Sequence, residues 1–444
     1  MKFTLAVLVF VVYLSPTAAA TCQDEPKLNG TETIVRLLKF SEKRLSETAI
    51  SIKAKSAGAS WQTQGSEAPV LTVFVDGKYN QDVILFAGPR EFDYKILLGR
   101  LGTGDHQIIL VLNKNRSAPN ARLVEIISAT VHSYEFDPSS NPPETIAIAH
   151  SPFIYARPAA VDKFSDIPLI TYYEIFPEAE NSFRIRYTTI FSNEDGGTQT
   201  RALMARWGRS TDIEWVYELS LKDGKLNSQT FQAANHETKN FVGRRDFGNH
   251  PLVYAVTENN NFADAGCSAL RVAPFPIRAD LSAKSRETVM DENPWTYRIM
   301  AEEATREGRV DPKNMGVNTI DALWNYLYVE VFAENDSSAV AVEVRTLDGK
   351  TSRSDLGDER LRVGRSGFQR IAVRLPSTVS PLHSIKLYCH AAAGNAVSGD
   401  CRNSKITAFL ELKESFLLLK TETKMDSKSL RSGENIMWLS PAKH

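Results

Sequence analysis

Several absences narrow the reading of this 444-residue chain. Charge of one sign is not in excess: 52 Lys and Arg face 53 Asp and Glu, a formal net charge of −1. Nothing in that balance draws the whole chain to nucleic acid or to an anionic membrane. Cysteine is scarce, at 4 residues, and neither CxxC nor HxxxH occurs, so the spacing of a structural zinc site is missing. No GxSxG elbow, GxxxxGK[ST] phosphate loop, GxGxxG fingerprint or HExxH appears. The usual signatures of α/β hydrolases, P-loop NTPases, dinucleotide enzymes and zincins are therefore missing. No cofactor and no metal ion is expected. Beyond the first residues, no apolar run is long enough to cross a bilayer.

The opening residues set the compartment. Lys2 precedes an apolar run from Phe3 to Leu14, Pro16 interrupts it, and Ala18-Ala19-Ala20 offers a small-residue cleavage site before Thr21. This pattern predicts a secretory signal peptide over residues 1–20 and a secreted protein, extracellular or periplasmic, with no integral membrane segment after cleavage. Export makes the cysteines readable as disulfides. Cys389 and Cys401 flank a short Gly- and Ala-rich interval and are expected to pair. Cys22 and Cys267 remain, either paired or free.

The rest reads as mainly β and multi-domain. Residues 21–139 are expected to hold an N-terminal helix and a β-sandwich module. In residues 31–52, Ile34, Val35, Leu37, Leu38 and Leu45 carry helical apolar spacing. Short alternating runs follow, with Asp76-Gly77 as a hairpin signal. The runs VFVDGKY, ILFAG and YKILLGRLGTGDHQIILVL, about 60 residues in all, resemble the small jelly-roll modules appended to many carbohydrate-active enzymes. That resemblance implies a β-sandwich (jelly-roll-like) fold. Residues 140–284 read as a central β-rich domain, where Ile213 to Leu221 alternate strictly. A helical connector is expected over 285–322, with Pro294 kinking or splitting it. Residues 323–415 read as a second β-sandwich, and 416–444 as a charged, poorly ordered tail.

The central region holds the candidate chemistry. Asp212 and Glu214 stand two apart on one strand face, so one carboxyl can act as acid and the other as base or nucleophile. Glu218 continues the same row, which favours a plain solvated strand face over an acid–base pair. His236 and His250 are candidate proton carriers near neutral pH. Arg206, Arg209, Arg244 and Arg245 are candidate clamps for a carboxylate or sulfate, with Asp246 beside them. Trp207 offers a flat apolar face for a sugar ring. A plain network of salt bridges and capped turns fits these residues too. Glu194-Asp195-Gly196-Gly197 lacks EF-hand spacing and reads as a hairpin turn, and the Asn259–Asn261 run as a loop.

These features point to a secreted carbohydrate-active protein with a polysaccharide or glycan partner, either a glycoside hydrolase or a polysaccharide lyase. The alternative is a non-catalytic extracellular protein whose sandwiches bind a glycan or another protein. An enzyme predicts that Asp212, Glu214, His236, Arg245 and His250 line one cleft. A binder predicts dispersed ionisable groups.

Overall fold

A computed structural model describes residues 25–30, 33–194, 196–268, 270–394 and 399–441. The expected signal peptide and Cys22 lie outside these residues. The chain is mainly β, 48% strand and 11% helix, in several antiparallel sheets.

Seven strands come first: β1 (Thr33–Glu42), β2 (Ser46–Lys55), β3 (Val70–Val75), β4 (Lys78–Ile84), β5 (Phe92–Leu101), β6 (Gly104–Leu112) and β7 (Glu125–Glu135). They make a four-stranded sheet, β1-β6-β3-β4, and a three-stranded sheet, β5-β2-β7. Asp76 (φ 49°) and Gly77 (φ 76°) turn the β3–β4 hairpin, both left-handed as a two-residue type I′ loop requires. The helical spacing over 31–52 does not yield a helix. It resolves into β1 and β2. Strand β1 is an edge that pairs with β6 and leaves most of its residues exposed, so no buried face imposes period-2 alternation on it.

The middle of the chain supplies α1 (Pro143–Ala149), β8 (Phe153–Tyr155), α2 (Pro158–Lys163), β9 (Pro168–Pro177), β10 (Ser182–Phe191), α3 (Thr200–Trp207), β11 (Ile213–Lys222), β12 (Lys225–Gln232) and β13 (Thr238–Asn240). Five of these strands and the short Ile277–Arg278 strand form one sheet, in the order β13-β12-β11-β10-β9 and then 277–278. Helix α3 ends at Gly208, whose φ of 64° suits a glycine cap, against the Arg370 side chain. Backbone bonds knit this region to the first sheets. Leu97 N–H donates to Ala273 C=O at 2.9 Å, and Arg100 N–H to Phe247 C=O at 2.7 Å. One apolar core accordingly runs from Ile50 and Leu110 through Tyr187 and Leu219 to Tyr297.

The connector is two helices, α4 (Thr288–Asp291) and α5 (Trp295–Arg306), separated at Pro294. The C-terminal strands form a second pair of sheets around their own core of Val329, Val342, Ile371, Ile385 and Ile406. Cys389 and Cys401 are bonded and join strand 382–391 of one sheet to strand 400–412 of the other. Cys267 is also in a disulfide. The segment expected as a poorly ordered tail contains three paired strands, Leu418–Glu422, Lys428–Arg431 and Asn435–Leu439. They are edge strands with few inward residues, chiefly Leu430 and Ile436, which explains their tail-like composition. Among the described residues no helix is long and apolar enough to cross a membrane.

Candidate functional site

Strand β11 sets the geometry. The β10–β11 register pairs Tyr187 with Tyr217 but Thr188 with Trp215, so Val216 is an extra residue, a β-bulge. The strict alternation read along β11 therefore breaks there. Cross-strand partners share a face, so Glu214 lies on the face of Thr189 and Tyr187, and Glu218 on the face of Arg186. Glu218 is held there at 2.6 Å by Arg186 and at 2.5 Å by Arg184. The row of three acids is thus split, and the solvated-stripe explanation for Asp212 and Glu214 loses its third member.

Two tight turns converge on these acids. The 3-10 turn Ala234–His236 follows β12, and residues 257–261 form the second turn. A parallel bridge between Ala233 and Phe262 sets them side by side. Asn235 (φ 61°), His236 (φ 59°) and Asn260 (φ 44°) all adopt left-handed backbone, a conformation costly for non-glycine residues and concentrated at functional positions. Glu214 Oε2 accepts a hydrogen bond from Gln232 Nε2 at 2.6 Å and lies 3.7 Å from His236 Nδ1. His236 Nε2 is 2.9 Å from Asn259 Nδ2. The His236 side chain is 53% exposed and that of Glu214 13%. Hydrogen bonding to Glu214 raises the His236 pKa above its ordinary value, against the opposing effect of burial.

Behind this rim lies a buried acid cluster. Asp212 is 2% exposed and accepts from Asn260 Nδ2 at 3.0 Å, while the same amide donates to Asp166 at 2.5 Å. Burial pushes the Asp212 carboxyl well above the usual carboxylate range, and Glu214 and Glu194 push it further. Glu194 is raised as well, first by burial. Gln232 Oε1 is sealed from solvent without a hydrogen-bond partner. Among the described residues no three His, Cys, Asp or Glu side chains are grouped to hold a metal ion.

The structure therefore brings Asp212, Glu214 and His236 together. Arg206 interacts with Glu194 of the cluster, and its guanidinium stacks 4.4 Å from the Trp207 ring, which Arg365 also approaches at 5.5 Å. Five other candidates do not belong to this set. His250 is fully buried, with Nε2 2.9 Å from Glu47 and Nδ1 2.8 Å from the Ser151 carbonyl, so both nitrogens are spent inside the fold. Arg245 donates to Tyr217 Oη at 2.6 Å and to the Asn249 carbonyl at 2.5 Å, pinning the 245–250 hairpin. Arg244 and Asp246 pair with each other at 2.5 Å. Arg209 is near the acids but turns inward, at 3.0 Å from Glu287 and donating to the Thr211 carbonyl. Sequence reading missed Asp166, Gln232 and Asn260, and took Glu194 for a hairpin turn. Of these only the asparagine run carried a signal, since Asn tolerates left-handed backbone.

Two cavities lie elsewhere. One, about 840 Å³ with the open space at its mouth included, is walled by Phe86, Phe92, Tyr94 and Trp295, and the other, about 570 Å³ on the same measure, lies beside α3. Neither is lined by Asp212, Glu214 or His236.

No protein-family model matches the chain, and no curated protein matches it. Among solved structures, the chain is similar to the EclA C-terminal domain, a sugar-binding protein, at 13% identity and a TM-score of 0.18, over 23% of this chain and 68% of that one. A TM-score of that size relates neither fold nor ligand.

Proposed function

We propose that this is an exported glycan-binding protein whose ligand meets the rim formed by Glu214, His236 and Asn259. The observation that carries the reading is the density of fixed polar groups there. The Glu214 carboxylate, the half-exposed His236 imidazole and the Asn259 carboxamide form a linked chain, with the buried Gln232 amide bridging Glu214 and His236 from behind and Asn259 on the other ring nitrogen. Vicinal hydroxyls, each both donor and acceptor, match such a set. The Cys389–Cys401 bond is compatible with an oxidising compartment.

A hydrolase that uses Asp212 as acid is the weaker reading. Asp212 is buried and bound to Asn260, and both carboxyls come from one short stretch, Asp212 just before β11 and Glu214 in it, rather than flanking a bond. A lyase is the second reading, favoured by the half-exposed His236 beside Glu214, which suits a general base. A polysaccharide panel tests both, with binding read by calorimetry and unsaturated products by ultraviolet absorbance. The binding reading expects a glycan whose affinity falls at least ten-fold in Glu214→Gln and in His236→Ala, with no product. Product that disappears in His236→Ala establishes the lyase instead. Affinity indifferent to both substitutions overturns the site.

A further inference from the structure

The cleft beside α3 has its own chemistry, independent of the glycan reading. It encloses about 570 Å³, mouth included, where α3 meets the C-terminal sheets. Three of its lining residues are Arg201, Arg353 and Arg374, and none of the described residues that line it is acidic. The surrounding charge does not balance. Arg374 pairs with Asp321 at 2.7 Å. Arg353 and Arg362 share the single carboxylate of Asp355, at 2.9 and 3.1 Å. Arg201 makes no ion pair among the described residues, and its Nε is sealed from solvent with no hydrogen-bond partner. The three cleft guanidiniums thus have two carboxylates between them, one of which is shared with Arg362 from outside the lining.

The walls are not uniformly polar. Ser352 and Ser354 add hydroxyls, while Met204, Met315 and Leu356 supply an apolar side. Burial raises the Tyr326 phenol in the same wall; the Asp321 charge adds to this, and Arg374 and Arg201 act in the opposite sense. We propose that this cleft binds the anionic group of a small organic acid, carboxylate or sulfate, with Arg201 as the capturing cation and the methionine side taking the ligand's apolar part. Arginine suits this role because its planar fork matches a carboxylate or sulfate edge.

Calorimetric titration of the full chain with hexanoate, glucuronate and inorganic sulfate tests the proposal, with hexanamide and glucose as uncharged matches. The expected result is saturable binding of hexanoate or glucuronate, at least ten-fold tighter than its uncharged match. Arg201→Gln should weaken it at least ten-fold, and Lys313→Gln, an exposed site outside the cleft, should leave it unchanged. Should Arg201→Gln fail to fold, Leu356→Glu serves. That position lines the cleft yet is 57% exposed, so the new carboxylate occupies the cations and should abolish binding without unfolding the protein. Equal affinity for charged and uncharged partners overturns the proposal. So does anion binding that survives both variants. Sulfate binding as tightly as the organic acids overturns the role given to the apolar wall.

Discussion

The assignment of Arg209 separates a scaffold from a ligand site. Its side chain is 3% exposed and that of Glu287 4%, with Nε 3.0 Å from Oε1, and a second nitrogen donates to the Thr211 carbonyl. The pair ties the turn before β11, which carries Asp212, to the start of α4. Burial works against the Glu287 carboxylate, and Arg209, then Arg286 and Arg370, overcome it, leaving its pKa below the ordinary value. Breaking a buried pair costs about 3–5 kcal/mol, because the surviving charge is stranded. Arg286 and Arg370 still serve Glu287 after Arg209→Met, so the lower end, about 3 kcal/mol, is expected. Glu287→Gln leaves Arg209 only a carbonyl and should cost a similar amount. The double variant Arg209→Met/Glu287→Leu should cost clearly less than both singles added, since it strands neither charge. Urea unfolding followed by the fluorescence of the 6 tryptophans measures each value. A loss below about 0.5 kcal/mol in Arg209→Met, the size of an ordinary surface change, would refute the scaffold role. Glycan binding that falls in Arg209→Met at unchanged stability would return Arg209 to the ligand site.

Three further outcomes follow from the same geometry. Replacing Cys389 and Cys401 by Ser opens a short loop between two sheets and should cost about 3 kcal/mol, read as a lower midpoint of unfolding that reductant also produces in the wild type. Glu214→Gln should lower the His236 pKa in an NMR titration, because Glu214 is the group that raises it; an unmoved midpoint would break the proposed pairing. Glu303, fully buried and accepting from Trp61 Nε1 at 2.9 Å, is pushed by burial from 4.5 up to about 7. Its folded pKa is raised, so its contribution to stability is full below about pH 4.5 and is lost as pH rises to about 7, a change of about 3 kcal/mol. Glu303→Gln should flatten the stability–pH curve across that window, and a wild-type slope retained in the variant would assign it to other groups.

The elements legible in the sequence are those whose faces are buried. Strand β10 carries a visible alternation because Ile185, Tyr187 and Phe191 pack inward while Arg184 and Arg186 do not. Helix α3 and its Gly208 cap, and the break at Pro294, follow from backbone chemistry that needs no tertiary context. Edge strands are the opposite case. Strand β1 and the three strands between 418 and 439 each bury little, so packing leaves almost no periodic mark on them. Their composition then imitates a helix in one place and a tail in the other.

The candidate site was half legible for a related reason. Asp212 and Glu214 are two apart on a strand, and spacing alone puts them on one face. Whether they form a site or a solvated stripe depends on Glu218, and Glu218 depends on Val216. Period-2 counting places Glu218 with the acids; one inserted residue moves it to the other face, where Arg184 and Arg186 neutralise it. A bulge leaves no composition signal, since Val216 is an ordinary strand residue. Its effect is nonetheless decisive. It leaves two acids, not three, facing the turns at 234–236 and 257–261, and it spares that face a third charge that would draw arginines toward it. The histidine and asparagines reach the acids because those turns accept left-handed backbone at Asn235, His236 and Asn260. Holding three such residues in place requires surrounding structure that over-determines them, and the Ala233–Phe262 bridge with the Asn260 link to Asp166 and Asp212 supplies it.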